Sequence, residues 1–335
     1  MLSSSATPLS HAYDLAMLDL DGVVYVGHDA VPGAPAHLAA ARGEGMRLAF
    51  ITNNASRPPA AVADHLSELD VPATPDDVVT SAQAAATVLR DRLGAGGRVV
   101  LLGAEGLAQA LAARGLEAVG VDDEADAVVS GYGPQVPWAD IMRAAVRVRE
   151  GLWWVATNTD ATIPTGYGVA PGHGVLVDTV RRFTGVEPVV AGKPERPLLD
   201  ETVRRMGGDR PLMVGDRLDT DIEGARRVGI DSLLVLTGVT GLPELVAARA
   251  AERPSYVGLD LRALTEPQPA PEPSGGGWDL GGWRAWVEDG ALEVDGGGAA
   301  ADWWRVVAAA AWEWLDDHGD PADTTGVTVP VDDER

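Results

Sequence analysis

The apolar run Leu15-Ala16-Met17-Leu18 ends in Asp19-Leu20-Asp21-Gly22, two carboxylates one residue apart followed by a glycine. In an extended chain, residues i and i+2 share a side, so Asp19 and Asp21 can face one site where the chain leaves a sheet. Carboxylates this close repel unless a cation lies between them or one keeps its proton. An Asp-Gly turn would explain this segment equally well if it stood alone. It does not: Thr52-Asn53-Asn54 closes a second apolar run, Lys193 lies in Gly192-Lys193-Pro194, and Gly215-Asp216-Arg217-Leu218-Asp219-Thr220-Asp221 closes a third. Each cluster could be a turn or a helix cap. As a set at successive strand ends they are poorly explained that way.

Together these residues can carry out phosphoryl chemistry. Asp19 can attack phosphorus to give an aspartyl-phosphate, and Asp21 can protonate the leaving alcohol and then activate water. Mg2+ suits oxygen-only ligands; Asp19, the main-chain carbonyl of Asp21 and Asp216 would hold it, with Asp221 orienting that shell. Thr52 and Asn53 would donate hydrogen bonds to phosphoryl oxygens, beside a helix N-terminus where a phosphate binds well. Of 26 basic residues, only Lys193 is a lysine. A compact ammonium is not interchangeable with a planar guanidinium, so Lys193 is read as the fixed positive charge at the phosphoryl group.

The elements that must position these groups read as a parallel α/β sheet. Strands over 15–18 and 46–52 alternate with helices over 32–42 and from Pro58-Pro59 to about residue 69, the opening of a doubly wound fold. Ligands in such sheets lie outside the carboxyl ends of the strands. From residue 78 a second, smaller α/β unit follows, with helices over 81–93, 106–114 and 138–150 and strands over 98–102, 127–130 and 152–156. It carries a polar loop, 157–165, and then His173 between two glycines, read as a loop residue ahead of a helix over 175–184. The first pattern resumes with a helix over 197–206, strands over 211–214 and 232–236, and a helix over 222–228. The expected division is a core over 1–78 and 190–265, an inserted unit over 79–189, a Pro/Gly linker over 266–277 and a tail over 278–335. That tail holds seven of the ten tryptophans. Asp289-Gly290 signals a hairpin there, and Trp303, Val307, Ala311 and Trp314 share a helix face expected to pack rather than to stack on a ligand.

Composition bounds the rest. At 335 residues, 46% apolar and 23% charged, the chain is an ordinary globular one. A net charge of -24 argues against nucleic acid or an anionic membrane as partner. There is no cysteine, so disulfides and thiolate chemistry are excluded. Neither a signal peptide nor an apolar run of membrane-spanning length is seen, and a cytoplasmic location is expected.

The four motifs, Asp19-Leu20-Asp21-Gly22, Thr52-Asn53-Asn54, Gly192-Lys193-Pro194 and 215–221, resemble those of haloacid-dehalogenase-like (HAD) phosphohydrolases. The resemblance covers about residues 13–262 and is closest to the subfamily with an α/β cap inserted between the second and third motifs, to which Thr80-Ser81-Ala82 and 156–160 are also similar. It implies a Rossmann-like core with an α/β cap, Mg2+ as cofactor, and the roles given above for Asp19, Asp21, Thr52, Lys193 and Asp216. It also implies a homodimer through the cap. In this subfamily the cap loop selects the substrate, here Asn158, Asp160 and Ile163 with His173 following. Ile163 stands near where pyridoxal phosphatases would carry a histidine. Members acting on glycerol 3-phosphate carry a comparable C-terminal extension, which makes that compound the first expectation. Phosphoglycolate, nucleoside monophosphates and pyridoxal phosphate follow; phosphotransfer and a catalytically silent binding protein are rival readings.

Overall fold

A computed structural model describes residues 1–330. The chain divides into two compact units, Met1–Leu48 with the chain from Gly208 on, and Ala49–Gly207.

The first unit is built on four parallel strands in the spatial order Tyr256–Gly258, Asp231–Val235, Pro211–Gly215, Leu15–Leu18. Leu15–Leu18 is buried throughout, as strands covered on both faces must be, which is why it reads as an unbroken apolar run. Its register sets Leu18 beside Val214, so Asp19 and Gly215 leave the sheet at the same end. Asp19 prolongs the ladder, its N–H donating to Val214 C=O at 2.9 Å.

The Trp-rich tail belongs to this unit. Strands Glu272–Ser274, Gly277–Leu280, Trp283–Glu288 and Ala291–Gly296 form an antiparallel meander, followed by the helix Ala300–His318. The segment expected as a linker therefore contains an edge strand, and its Gln268 is buried. The same Gly275-Gly276 that read as flexible composition makes the hairpin turn, at φ +53° and +83°. Trp303, Val307 and Ala311 pack with Leu245, Val246 and Leu234 in one core cluster. Trp312, which the helix pattern passed over, is fully buried and donates Nε1–H to Leu245 C=O at 2.7 Å. Trp314 is only half-buried and stacks on His318 at 3.5 Å between ring centroids. Arg305 is buried, donating to Val257 C=O at 3.1 Å and Gln268 Oε1 at 2.6 Å.

The second unit holds a five-stranded parallel sheet in the order Val189–Val190, Trp153–Ala156, Ala127–Ser130, Arg98–Leu102, Glu117–Val119. Helices Ser81–Leu93, Glu105–Ala113, Trp138–Arg149, His173–Thr184 and Arg196–Met206 accompany it. The strand Arg47–Thr52 ends in this unit and pairs in parallel with Val78–Thr80, Thr52 beside Thr80. Thr80 then caps the next helix: its Oγ1 accepts from Gln83 N–H at 3.3 Å while Gln83 Oε1 accepts from Thr80 N–H at 2.9 Å. Glu117–Val119 is a short, largely exposed edge strand without an apolar run, so no periodicity announced it. The polar loop expected over 157–165 contains a strand, Thr162–Thr165, paired antiparallel with Gly168–Pro171.

Candidate active site

In the first unit, three aspartates converge. Asp19, Asp216 and Asp221 each place a carboxylate oxygen within 4.8 Å of the others. Asp216 and Asp221 are almost wholly buried, and Asp19 is half-buried. The glycines around them are needed for space. Gly22, at φ +83°, would put a Cβ 2.5 Å from Asp216 Oδ2, Gly238 would drive one into the same carboxylate, and Gly215 would collide with the Asp221 side chain. The cluster is held from behind. Val239 N–H donates to Asp216 Oδ2 at 2.7 Å, Thr240 Oγ1–H to Asp216 C=O at 2.6 Å, Arg217 N–H to Asp221 Oδ2 at 3.1 Å, and Thr237 Oγ1–H to Gly22 C=O at 2.6 Å. Asp21 lies exposed at the mouth of the strand, where Gly22 N–H turns back to Tyr25 C=O at 2.8 Å. Three carboxylates grouped together, joined by no His or Cys among the described residues, suit a hard, oxygen-seeking divalent cation such as Mg2+.

In the second unit, Thr52, Asn53 and Lys193 are all buried, Lys193 to 2% exposure. Thr52 Oγ1 accepts from Asn54 N–H at 3.0 Å, which leaves its own proton to donate. Asn53 is the hub. Its Oδ1 accepts from Lys193 N–H at 2.8 Å, while its Nδ2 donates to Lys193 C=O and to Asp160 Oδ1, both at 3.0 Å. Its own C=O accepts from Ser81 Oγ at 2.5 Å and Asn158 Nδ2 at 2.8 Å.

This geometry falls in segments that match known proteins. A family model described as haloacid dehalogenase-like hydrolase matches residues 16–117, and one described as HAD-hydrolase-like matches residues 190–264. D-glycerol 3-phosphate phosphatase of Mycobacterium tuberculosis is 43% identical over 319 residues, 91% of this chain and 87% of that protein. The chain belongs to the haloacid dehalogenase-like hydrolases. An acid sugar phosphatase of Staphylococcus saprophyticus is 36% identical over 255 residues, 75% of this hydrolase and 96% of its relative. Among solved structures, glycerol phosphate phosphatase from M. tuberculosis in complex with magnesium superposes with a TM-score of 0.84 at 43% identity, covering 92% of each chain. The 4-nitrophenylphosphatase of Thermotoga maritima gives 0.71 at 30%, covering 77% of this hydrolase and 98% of that chain.

Four placements in the hydrolase add to the sequence expectations or depart from them. Asn53, expected to donate to phosphoryl oxygens, commits both donors of its side-chain amide to Lys193 and Asp160. Asn158, expected in the substrate-selecting loop, is buried and braces the Asn53 carbonyl. His173 is not a loop residue: it opens the helix His173–Thr184, is 3% exposed, and its Nε2 lies 3.2 Å from Ser130 Oγ. The glycines on either side allow close backbone crossing, since a Cβ on Gly172 would meet Thr162 C=O at 2.8 Å and one on Gly174 would meet Thr159. Burial pushes the His173 imidazole down to about 4. Asp221, expected to stand behind the metal ligands, brings a carboxylate oxygen as near as Asp19 and Asp216 do. Ile163 is half-buried on the strand Thr162–Thr165, beside Ala170. Sequence reasoning missed Ser81 as a brace; its one signal was Thr80-Ser81-Ala82 opening a helix.

Proposed function

We propose that this hydrolase is a Mg2+-dependent phosphatase that cleaves a small phosphate monoester through an aspartyl-phosphate, with glycerol 3-phosphate its preferred substrate. The cluster of Asp19, Asp216 and Asp221 carries the reaction class. Their carboxylates, with the Asp21 carbonyl, would hold the ion. When bound, it neutralises charge on the phosphoryl oxygens and offsets repulsion between phosphate and carboxylate. Asp19 attacks phosphorus as the bond to the ester oxygen breaks, and Asp21 gives its proton to the departing alkoxide. Asp21 then takes a proton from water as that water attacks phosphorus, releasing inorganic phosphate and regenerating Asp19. Lys193 and Thr52 bind phosphoryl oxygens, and residues 79–189 act as the cap.

For the substrate, support comes from the M. tuberculosis glycerol phosphate phosphatase, whose match spans most of both chains and therefore includes part of the tail. The S. saprophyticus acid sugar phosphatase matches three quarters of this chain, which favours sugar phosphates as the second substrate class. Phosphate release with Mg2+ across glycerol 3-phosphate, phosphoglycolate, pyridoxal phosphate, nucleoside monophosphates and sugar phosphates tests both points. Strong preference for glycerol 3-phosphate supports the reading, and activity on none overturns it.

We place the protein in the cytoplasm. No helix among the described residues is long and apolar enough to cross a membrane. A homodimer through the cap is favoured by Trp138, Met142 and Val146, which stand exposed at four-residue spacing on the helix Trp138–Arg149. Light scattering that gives a monomer mass would remove that dimer.

A further inference from the structure

We propose that Asn53 is a positioning residue that fixes the peptide carrying Lys193, and that Asp160 locks the Asn53 amide in the orientation this requires. This rests on the phosphatase reading for what Lys193 does, but not for how it is held.

An asparagine amide can face either way, and its neighbours decide which. Lys193 presents one donor and one acceptor to Asn53: its N–H lies 2.8 Å from Oδ1 and its C=O lies 3.0 Å from Nδ2. Asp160 Oδ1, also 3.0 Å from Nδ2, is a charged acceptor. Turning the amide over would set Oδ1 against a carbonyl and a carboxylate and Nδ2 against an N–H, losing every bond at once. An ionised Asp160 carboxylate has acceptors and no donor, so it adds a charge-assisted bond to the correct orientation alone. The amide thus grips the Lys193 peptide on both sides. Gly192 makes the grip possible, since a Cβ there would lie 2.5 Å from Asn53 Oδ1 and 2.6 Å from Thr157 C=O. Ser81 and Asn158 hold the Asn53 main chain in turn. A residue buried to 8% exposure and held on five sides has little freedom. Its benefit is geometric, because displacing a catalytic group by about an ångström costs about a hundredfold in rate.

The lone lysine gives a direct test. Protein labelled with 15N-lysine has one lysine amide to observe, that of Lys193. In Asn53→Ala this resonance should move and its hydrogen exchange should speed up at least about tenfold, because the N–H has lost its acceptor. An unchanged exchange rate would overturn the proposal whether or not the protein proves to be a phosphatase. In the kinetic arm, kcat on the best phosphomonoester should fall about a hundredfold in Asn53→Ala, with KM moving far less. Asn53→Asp, which sets two carboxylates face to face, should be equally impaired, and adding Asp160→Asn should recover at least about tenfold of kcat by restoring an amide–carboxylate pair. If Asn53→Ala fails to fold, Asp160→Ala carries both arms, with smaller shifts expected in the same direction. A kcat within about threefold of wild type in every variant, or no recovery in the double variant, contradicts the proposal. A wild type that hydrolyses no phosphomonoester contradicts the phosphatase reading instead, and the exchange arm still decides the clamp.

Discussion

A Cβ on Gly22 would lie 2.5 Å from Asp216 Oδ2, although the two residues are separated by almost the whole catalytic part of the chain. The glycine of the first acidic motif is therefore there for the carboxylate of the last. It turns the chain at φ +83° and leaves room for a buried acid in the same step. We expect Gly22→Ala to pay twice, in backbone strain and in displacement of Asp216. A loss of about 1–3 kcal/mol of stability, together with weaker Mg2+ binding by calorimetric titration, is the expected outcome. Unchanged metal affinity would show that Asp216 can move aside without consequence.

Asp21 is exposed while Asp19, Asp216 and Asp221 crowd together, which suits a group that must exchange protons with an alcohol and a water. Asp21→Asn should fold normally and lose about 10²–10⁴ in kcat. Rapid-quench trapping should still detect phosphate on Asp19 with activated substrates such as p-nitrophenyl phosphate.

Lys193→Arg keeps the charge and should still lose about 10²-fold or more in kcat. The lysine is buried to 2% exposure, and a planar guanidinium fork does not take the place of a compact ammonium. Steady-state kinetics close to wild type would sink the argument drawn from the lone lysine.

Glu201 is nearly sealed in the second unit, yet it receives Arg114, Arg204 and Arg205, with Arg114 Nη2 at 2.6 Å from Oε1. Burial pushes its carboxyl up, but hydrogen bonds from Arg204 and Arg205 and the charges of Arg205 and Arg114 outweigh it and hold the group below the usual range. A depressed carboxyl contributes stability that is complete above its unfolded value and is lost as pH falls through the lower folded value. Glu201→Ala should lower stability in chemical denaturation at neutral pH by about 1–3 kcal/mol, because the three guanidiniums left behind reach solvent, and the gap from wild type should narrow in acid.

His173 reports on the same unit with a different window. Its folded value is about 4 against an ordinary 6.5. Its neutral form is therefore no burden above pH 6.5, and stability is lost as pH falls from 6.5 toward 4, because the unfolded chain takes up the proton first. His173→Gln should flatten the melting temperature of the protein over that window relative to wild type.

These expectations began from strand ends that were legible in the sequence for a simple reason. The strands Leu15–Leu18, Arg98–Leu102 and Ala127–Ser130 are apolar runs stopped by polar or turn residues, and the helix Ser81–Leu93 opens on its own capping box. What escaped the reading lacks such local marks. Glu117–Val119 is held by its pairing with Arg98–Val100, not by its own residues. The Pro/Gly segment near 272 becomes a strand only because Trp278 and Asp279 lie across from it. The use of Asn53 depends on partners 107 and 140 positions away, and a Thr-Asn-Asn cluster alone looks the same whether its amides meet a phosphate or a peptide. His173 between two glycines resembled a loop because the glycines serve close backbone contacts with 159–162 that only the fold creates.

The most direct measurement is phosphate release from glycerol 3-phosphate with Mg2+, by wild type and by Asp19→Asn at equal concentration. We expect turnover by the wild type that chelation abolishes, and loss of activity to background in a variant that still folds. Undiminished turnover in Asp19→Asn would contradict nucleophilic attack by that carboxylate and, with it, the central account of the site.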